Sequence, residues 1–377
     1  MTVVVIGAGP AGLASAAMLQ RAGERVIVLE RGDDVGSSWR TRYDRLHLHT
    51  VRWLSCLPGY RIPRAFGKWV ARDRVIEYLQ RYASHHALDV RTGVEVESLQ
   101  PGWTLETSAG PFEAARVVVA TGHSNVPFLP AWPGEFAGDV VHSADYRNPE
   151  PYRGRRVVVV GAGNSAAEIA VDVQEGGARE VLLSVRTPPN IVRRDTLGFP
   201  SQILGIVLSK LPVPVVDRVA VLLRRATIPD LTAFGLPAPE HPYLEFLSRR
   251  MVAILDVGIV AAVRDGRVRI VAPIEGFDGD SVVLADGSRI PTDAVIAATG
   301  FRTGLEPLVG HLGVLNNSGE PLVHGVEEHP AAPRLHFVGY RIELDSTFRV
   351  AGIDARRLAR GVRRARTQFP AATPAAA

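Results

Sequence analysis

Thiols are nearly absent from this chain of 377 residues, in which Cys56 is the one cysteine. A single thiol closes no intrachain disulfide, builds no four-cysteine metal site and offers no dithiol for redox exchange. Lysine is almost missing as well. Lys68 and Lys210 stand among 43 basic residues, so the rest are arginine. With a net charge of only +4, this reads as codon usage rather than as a nucleic-acid surface. Long apolar runs are lacking too. The nearest candidate, residues 203–223, is interrupted by Lys210, Pro212, Pro214, Asp217 and Arg218, so no integral membrane segment is expected. Met1 runs straight towards Val3 and Ile6 with no basic leader or cleavage site. His47, His49, His85, His86 and His123 share no ligand spacing, so no metal is expected. No G-x-S-x-G motif or acid pair argues for hydrolysis. A reducing, cytoplasmic setting is the expectation.

What is present is an ordinary globular composition, 46% hydrophobic and 22% charged, in a chain long enough for two domains. Val3–Ile6 is a β-branched run of the buried parallel-strand kind, followed by Gly7-Ala8-Gly9-Pro10-Ala11-Gly12. A helix is predicted over Leu13–Ala22 and a second buried strand over Val26–Leu29. The same grammar returns at Val157–Val160, Gly161-Ala162-Gly163-Asn164-Ser165-Ala166, a helix over Ala167–Gln174 and a strand over Val181–Val185. Each copy is matched further on by a strand running into Ala-Thr-Gly, at Ala120-Thr121-Gly122 and at Ala298-Thr299-Gly300. Each of these is preceded by an alternating stretch that predicts a small meander, over Trp103–Phe112 and over Arg267–Ile290.

The fold class is therefore α/β, with two Rossmann-type dinucleotide-binding domains, the second inserted into the first and each with a small β-meander. Residues 1–150 and 301–377 form the first domain and 151–300 the second. Proline-punctuated, apolar residues around 190–250 form a helical insertion in the second. It reads as a lid, as a face towards a membrane surface, or as packing against the second sheet. The tail beyond Arg364 reads as disordered.

The two glycine turns carry the chemistry. Gly7 allows a tight turn, Gly9 lets backbone approach a pyrophosphate, and Gly12 lets helix and strand pack closely. Glu30 ends the next strand, placed to accept from a ribose 2′-hydroxyl, which favours a dinucleotide without a 2′-phosphate. In the second turn Ala166 replaces the third glycine, and the next strand ends on Arg186. A guanidinium there can grip a 2′-phosphate, where a carboxylate would repel it, which points to NADPH as the second nucleotide. Arg193 and Arg194 are further candidates, equally readable as a solvated basic face. A nicotinamide and a flavin in one chain move hydride. With the dithiol outlet closed, oxygen or a small organic acceptor remains to receive the electrons.

Phe136, Gly138, His142 and Tyr146 fill F-x-G-x-x-x-H-x-x-x-Y, the identifying motif of the flavin-containing monooxygenases. Gly36-Ser37-Ser38-Trp39-Arg40 resembles that family's GGxW segment, and Ala298-Thr299-Gly300-Phe301 its ATGY element. Tyr43-Asp44-Arg45-Leu46-His47-Leu48-His49, Asn164-Ser165 and Leu255-Asp256-Val257-Gly258 are similar to the YUCCA-like branch, and the resemblance covers nearly the whole chain.

The resemblance implies FAD and NADPH as cofactors and O₂ and a small molecule as substrates. It implies a flavin C(4a) (hydro)peroxide as the oxygenating group and, for the YUCCA-like branch, a 2-oxo acid such as indole-3-pyruvate that loses CO₂. The FAD set expected is Gly7, Gly9, Pro10, Ala11, Gly12, Glu30, Arg31, Ser38, Trp39, His47, Val96, Ala120, Thr121, Gly122 and Ile353. The NADPH set is Gly161, Gly163, Asn164, Ser165, Arg186, Thr299 and Gly300. The catalytic set is unassigned, with His47, His49 and His142 as side-chain candidates. His142 also reads as part of a packed linker, and His47 and His49 as structural hydrogen-bond partners.

The segment His49–Leu54 lacks the asparagine of animal-type members, which leans away from N- or S-oxygenation. Gly339–Arg349 is more polar than that branch leads one to expect, and Gly352–Leu358 reads as a helix aimed at the flavin. The competing readings are an NADPH:acceptor flavin oxidoreductase and a redox-sensing flavoprotein. The oligomeric state is open.

Overall fold

A computed structural model describes residues 2–196, 198–208, 211–239, 253–341 and 346–368. The expectations for residues 240–250, for the polar stretch at 342–345 and for the tail beyond 368 fall outside the described residues. The chain divides into two units. One comprises Met1–Arg40, Thr50–Val126 and Arg302–Ala377, and the other Thr41–His49 and Pro127–Phe301. The sequence reading drew its first boundary at 150 and kept Thr41–His49 with the first domain.

The first unit is built on a five-stranded, fully parallel sheet. Its strand order is Leu335–Phe337, Arg116–Val119, Thr2–Ile6, Arg25–Leu29 and Asp89–Arg91. Parallel strands covered on both faces read as unbroken apolar runs, and Val3, Val4 and Val5 are all essentially inaccessible to solvent. The helix Pro10–Arg21 follows the central strand, and Thr347–Gln368 packs against it. The helix expected over Gly352–Leu358 is thus longer and opens a turn earlier. The meander has strands Val96–Gln100, Thr104–Thr107 and Phe112–Glu113, one strand more than the expected stretch covered.

The second unit repeats the design. Its parallel sheet runs Arg269–Val271, Glu180–Ser184, Arg156–Val160, Ala294–Ala297 and Asp139–His142. Alternation splits the central strand between two cores. Val157 and Val159 face the cluster that contains the helix Asn164–Glu175, while Val158 faces the meander. That meander comprises Ile274–Asp278, Ser281–Leu284 and Arg289–Pro291. Residues 269–271, expected within it, instead complete the parallel sheet, since Arg269–Val271 pairs with Leu182–Ser184. The insertion supplies the helices Ser201–Leu208 and Val213–Thr227.

Candidate functional site

The first glycine turn separates what the protein needs for itself from what it leaves for a ligand. Gly7 has φ +102°, and a Cβ there would lie 2.8 Å from the carbonyl oxygen of Ala120. A Cβ on Gly12 would stand 1.8 Å from the Gly7 oxygen, inside any permissible contact. Gly9 differs: a Cβ there would meet nothing within 4 Å. Fold packing therefore explains Gly7 and Gly12, whereas the space beside Gly9 suits the close approach of a pyrophosphate. The helix opens on Pro10, whose missing N–H costs nothing at that position, and no side chain caps it. Its positive end is thus available to an anion. Ala11, at its second position, is buried.

Glu30 is held over the turn by the backbone. Its Oε2 accepts from the Ala8 N–H at 2.7 Å and its Oε1 from the Gly32 N–H at 2.9 Å. Lone pairs remain for a ribose hydroxyl, so the residues fit a dinucleotide of the FAD kind. Of the other expected FAD residues, Arg31 donates to Asn125 Oδ1 at 2.8 Å. Ser38 and Trp39 share the short helix Ser37–Arg40, and Trp39 packs edge-on to Phe348 with centroids 5.8 Å apart. Val96 opens the meander and packs against the core. Ala120 donates its N–H to the Ile6 oxygen at 2.9 Å, and Gly122 follows with φ +86°. Thr121 Oγ1 shares a 2.7 Å hydrogen bond with Tyr340 Oη. Ile353 lies inside the long helix Thr347–Gln368 rather than at its opening.

The second turn has the same anatomy. Gly161 has φ +141°, and a Cβ on it would stand 2.4 Å from the Ala298 oxygen. A Cβ on Gly163 would again meet nothing within 4 Å. The side chain of Asn164 is committed to the protein: Oδ1 accepts from the Leu255 N–H at 2.7 Å and Nδ2 donates to the Ala253 oxygen at 3.3 Å. Asn164 therefore ties the turn to the strand returning from the insertion, leaving only its backbone for a ligand. Arg186 is exposed on the wall of a cavity of about 930 Å³ that Leu236, Ile270 and Arg269 also line. The hydroxyl of Thr299 donates to the Phe128 oxygen.

All four residues of the F-x-G-x-x-x-H-x-x-x-Y motif belong to this unit, and each has a packing reason. Phe136 stacks on Phe277 at 4.8 Å. A Cβ on Gly138 would stand 2.6 Å from the Asp293 oxygen. His142 ends the outer strand of the sheet, and its Nδ1 accepts from the Ala144 N–H at 3.0 Å. Its Nε2 therefore carries the proton and donates to the Gly300 oxygen at 3.0 Å. Burial holds its pKa below the usual histidine value. Tyr146, 1% exposed, donates from Oη to Asp172 Oδ2 at 2.7 Å. A neutral His142 with both nitrogens engaged reads as a brace for the Ala298–Phe301 loop.

The other two histidine candidates are engaged too. His47 Nδ1 bonds the Arg45 oxygen at 2.7 Å, and His49 Nε2 lies 2.5 Å from Glu168 Oε1. Sequence reasoning missed Glu168, which is 4% exposed within the helix Asn164–Glu175. The signal lay in Glu168, Asp172 and Glu175, acids at i, i+4 and i+7 along one helix face.

Two nucleotide turns of this kind are shared by several oxidoreductases, and comparison with known proteins decides among them. Residues 4–196 match the pyridine nucleotide-disulphide oxidoreductase family. The chain is 33% identical over 338 residues to a protein named probable indole-3-pyruvate monooxygenase YUCCA7 of Arabidopsis thaliana, covering 83% of this chain and 78% of that one. The chain belongs to the flavin-containing monooxygenases, in their YUCCA-like branch. Indole-3-pyruvate monooxygenase YUCCA1 of Oryza sativa subsp. japonica is 32% identical over 314 residues, 80% of this chain and 77% of that one. The solved flavin-containing monooxygenase from Stenotrophomonas maltophilia superposes with a TM-score of 0.75 at 27% identity, covering 96% of this chain and 97% of that one.

This flavin-containing monooxygenase is thus an FAD-dependent enzyme that takes electrons from NADPH and acts with O₂ on a small molecule. Its lone Cys56 separates it from dithiol-bearing enzymes within the broader family. Among the described residues, no helix is long and apolar enough to cross a membrane.

Proposed function

We propose that this monooxygenase oxygenates an aryl-2-oxo acid, with indole-3-pyruvate as the first compound to test. The observation that carries this reading is the extended similarity to proteins named indole-3-pyruvate monooxygenases, over four-fifths of the chain. The missing asparagine in His49–Leu54 supports it over oxygenation of nitrogen or sulfur.

In this reading the turn Gly7–Gly12 and Glu30 hold FAD, and the turn Gly161–Ala166 and Arg186 hold NADPH. Bound there, the flavin supplies hydride acceptance and the activation of O₂. The chain's own residues do the rest. The helix openings at Pro10 and Asn164 carry no side-chain cap, so their free backbone N–H groups would meet the pyrophosphates. Two backbone donors fix the Glu30 carboxylate, which would accept from a ribose hydroxyl. Arg186 brings a permanent positive charge to the cavity wall, where a 2′-phosphate would be held bidentately. His142 braces the Ala298–Phe301 loop and takes no proton. The single cysteine suits a reducing, cytoplasmic setting.

The test is an assay with purified, FAD-loaded enzyme, NADPH, ¹⁸O₂ and indole-3-pyruvate. The expected result is indole-3-acetate carrying one ¹⁸O, with CO₂ released in step with NADPH oxidation. NADPH oxidation that yields only hydrogen peroxide, whichever 2-oxo acid is offered, would overturn the substrate reading and favour an NADPH:acceptor oxidoreductase.

A further inference from the structure

The insertion in the second unit wears its apolar side chains on the outside. Phe199, Val207, Leu211, Val215 and Leu222 are all exposed, from 42% at Val215 to 65% at Leu222. Single apolar residues at a surface are ordinary, whereas a cluster of them in one short stretch marks a contact surface. Both helices of the insertion are fastened to the unit through one residue. Arg193, at the end of the strand Ile191–Arg193, donates from Nε to the Thr227 oxygen at 2.9 Å, and its backbone oxygen accepts from the Ser201 hydroxyl. Within the helix Val213–Thr227, Val216 is buried. The face turned away from it carries Val215, Arg218, Leu222 and Arg225, at i, i+3, i+7 and i+10, and all four are exposed. Asp217 is the one acid between Phe199 and Thr227, and it is half-buried. The outward face thus offers apolar side chains flanked by cations, with no exposed carboxylate among them.

That mixture selects the partner. A second copy docking across a two-fold axis would set Arg218 and Arg225 against their own kind. A layer of phosphate headgroups over hydrocarbon answers both components, since arginine reaches the phosphates while its apolar neighbours enter beneath them. We propose that the helices Ser201–Leu208 and Val213–Thr227 dock the enzyme peripherally on an anionic lipid bilayer. Val215 and Leu222 enter the boundary of the acyl chains, and Arg218 and Arg225 pair with headgroup phosphates. Neither helix crosses the bilayer: the longer has 15 residues, where a span takes about 20. The inference does not depend on which substrate is oxygenated.

The experiment is co-sedimentation of the FAD-loaded enzyme with vesicles of equal parts phosphatidylglycerol and phosphatidylcholine, beside vesicles of phosphatidylcholine alone. The enzyme binds the first about tenfold more tightly than the second, and releases them as salt rises. A chain of net charge +4 is also drawn to an anionic surface without a dedicated face, so the deciding variant removes no charge. Leu222→Ser, at an exposed site, leaves flavin content and melting temperature unchanged and weakens vesicle binding about tenfold. Arg218→Gln combined with Arg225→Gln weakens it by about 10- to 30-fold. Full binding by Leu222→Ser would overturn the proposal, as would failure of the unaltered enzyme to bind. Equal binding to phosphatidylcholine alone would remove the part given to the arginines and overturn it too. Without vesicle binding, a dimer broken by Leu222→Ser would give the face to a second copy, and a raised KM in that variant would make the helices a lid. Either result would overturn the bilayer assignment.

Discussion

The turns Gly7–Gly12 and Gly161–Ala166 follow equivalent central strands and open equivalent helices, yet they meet their surroundings differently. At the third glycine position, Gly12 has the Gly7 oxygen 1.8 Å from where a Cβ would stand. Ala166 carries a real Cβ, 3.2 Å from the position a Cβ on Gly161 would take. At the strand ends, Glu30 is gripped by two backbone donors, whereas Arg186 faces open volume. In the proposed reading, Glu30 accepts from a neutral ribose hydroxyl and gains from being preorganised, whereas Arg186 would meet a doubly charged phosphate from a solvated wall, because charge supplies the attraction.

The most damaging way to break this comparison is Gly12→Ala. Helix and strand would have to separate, and the flavin-to-protein absorbance ratio of the purified variant should fall to near zero, with about 1–3 kcal/mol lost from stability.

The outer strands sharpen it next. Each sheet places a buried histidine there, His336 in the first and His142 in the second. Burial, reinforced by the Arg116 charge, lowers the His336 pKa to about 4. The unfolded chain therefore takes up that proton first, near pH 6.5. Stability from His336 is present above pH 6.5 and is lost as pH falls towards 4, by up to about 3 kcal/mol. Melts between pH 7 and 4 should show flavin release in this window, and His336→Gln should flatten the profile. His142 is lowered as well, so His142→Gln should remove some of the acid sensitivity of the second unit.

Arg186→Ala should raise KM for NADPH about 10- to 100-fold and leave NADH nearly unchanged, as steady-state kinetics with both coenzymes would show. Equal losses would move the 2′-phosphate away from Arg186. The mildest change, Ala166→Gly, should cost about 1 kcal/mol of stability, the usual price of glycine in a helix, and leave NADPH affinity in place.

Much of the fold was legible because it is written locally. Short β-branched runs, a glycine turn and a helix occupy fewer than 30 residues each time, and the strand-end residues Glu30 and Arg186 follow at the spacing the fold dictates. The roles of the family motif were less legible. Of Phe136, Gly138, His142 and Tyr146, only His142 invites a catalytic reading beside that of a packed linker, and the partners of all four favour the linker. Those partners lie at Phe277, Asp293, Gly300 and Asp172. The start of the second meander was misread because alternation looks alike in Arg269–Val271 and in the strands beyond it. Pairing with Glu180–Ser184 decides the difference.

By itself, then, the sequence determined two dinucleotide folds, the acid at the end of one strand and the arginine at the end of the other, since backbone geometry and side-chain charge act over a few residues. The tertiary structure alone decided that Tyr43 and His49 belong with Glu168 on the helix Asn164–Glu175. Tyr43 and Glu168 are 125 residues apart, and a buried carboxylate identifies its partners only when folding has removed the water that would otherwise satisfy it.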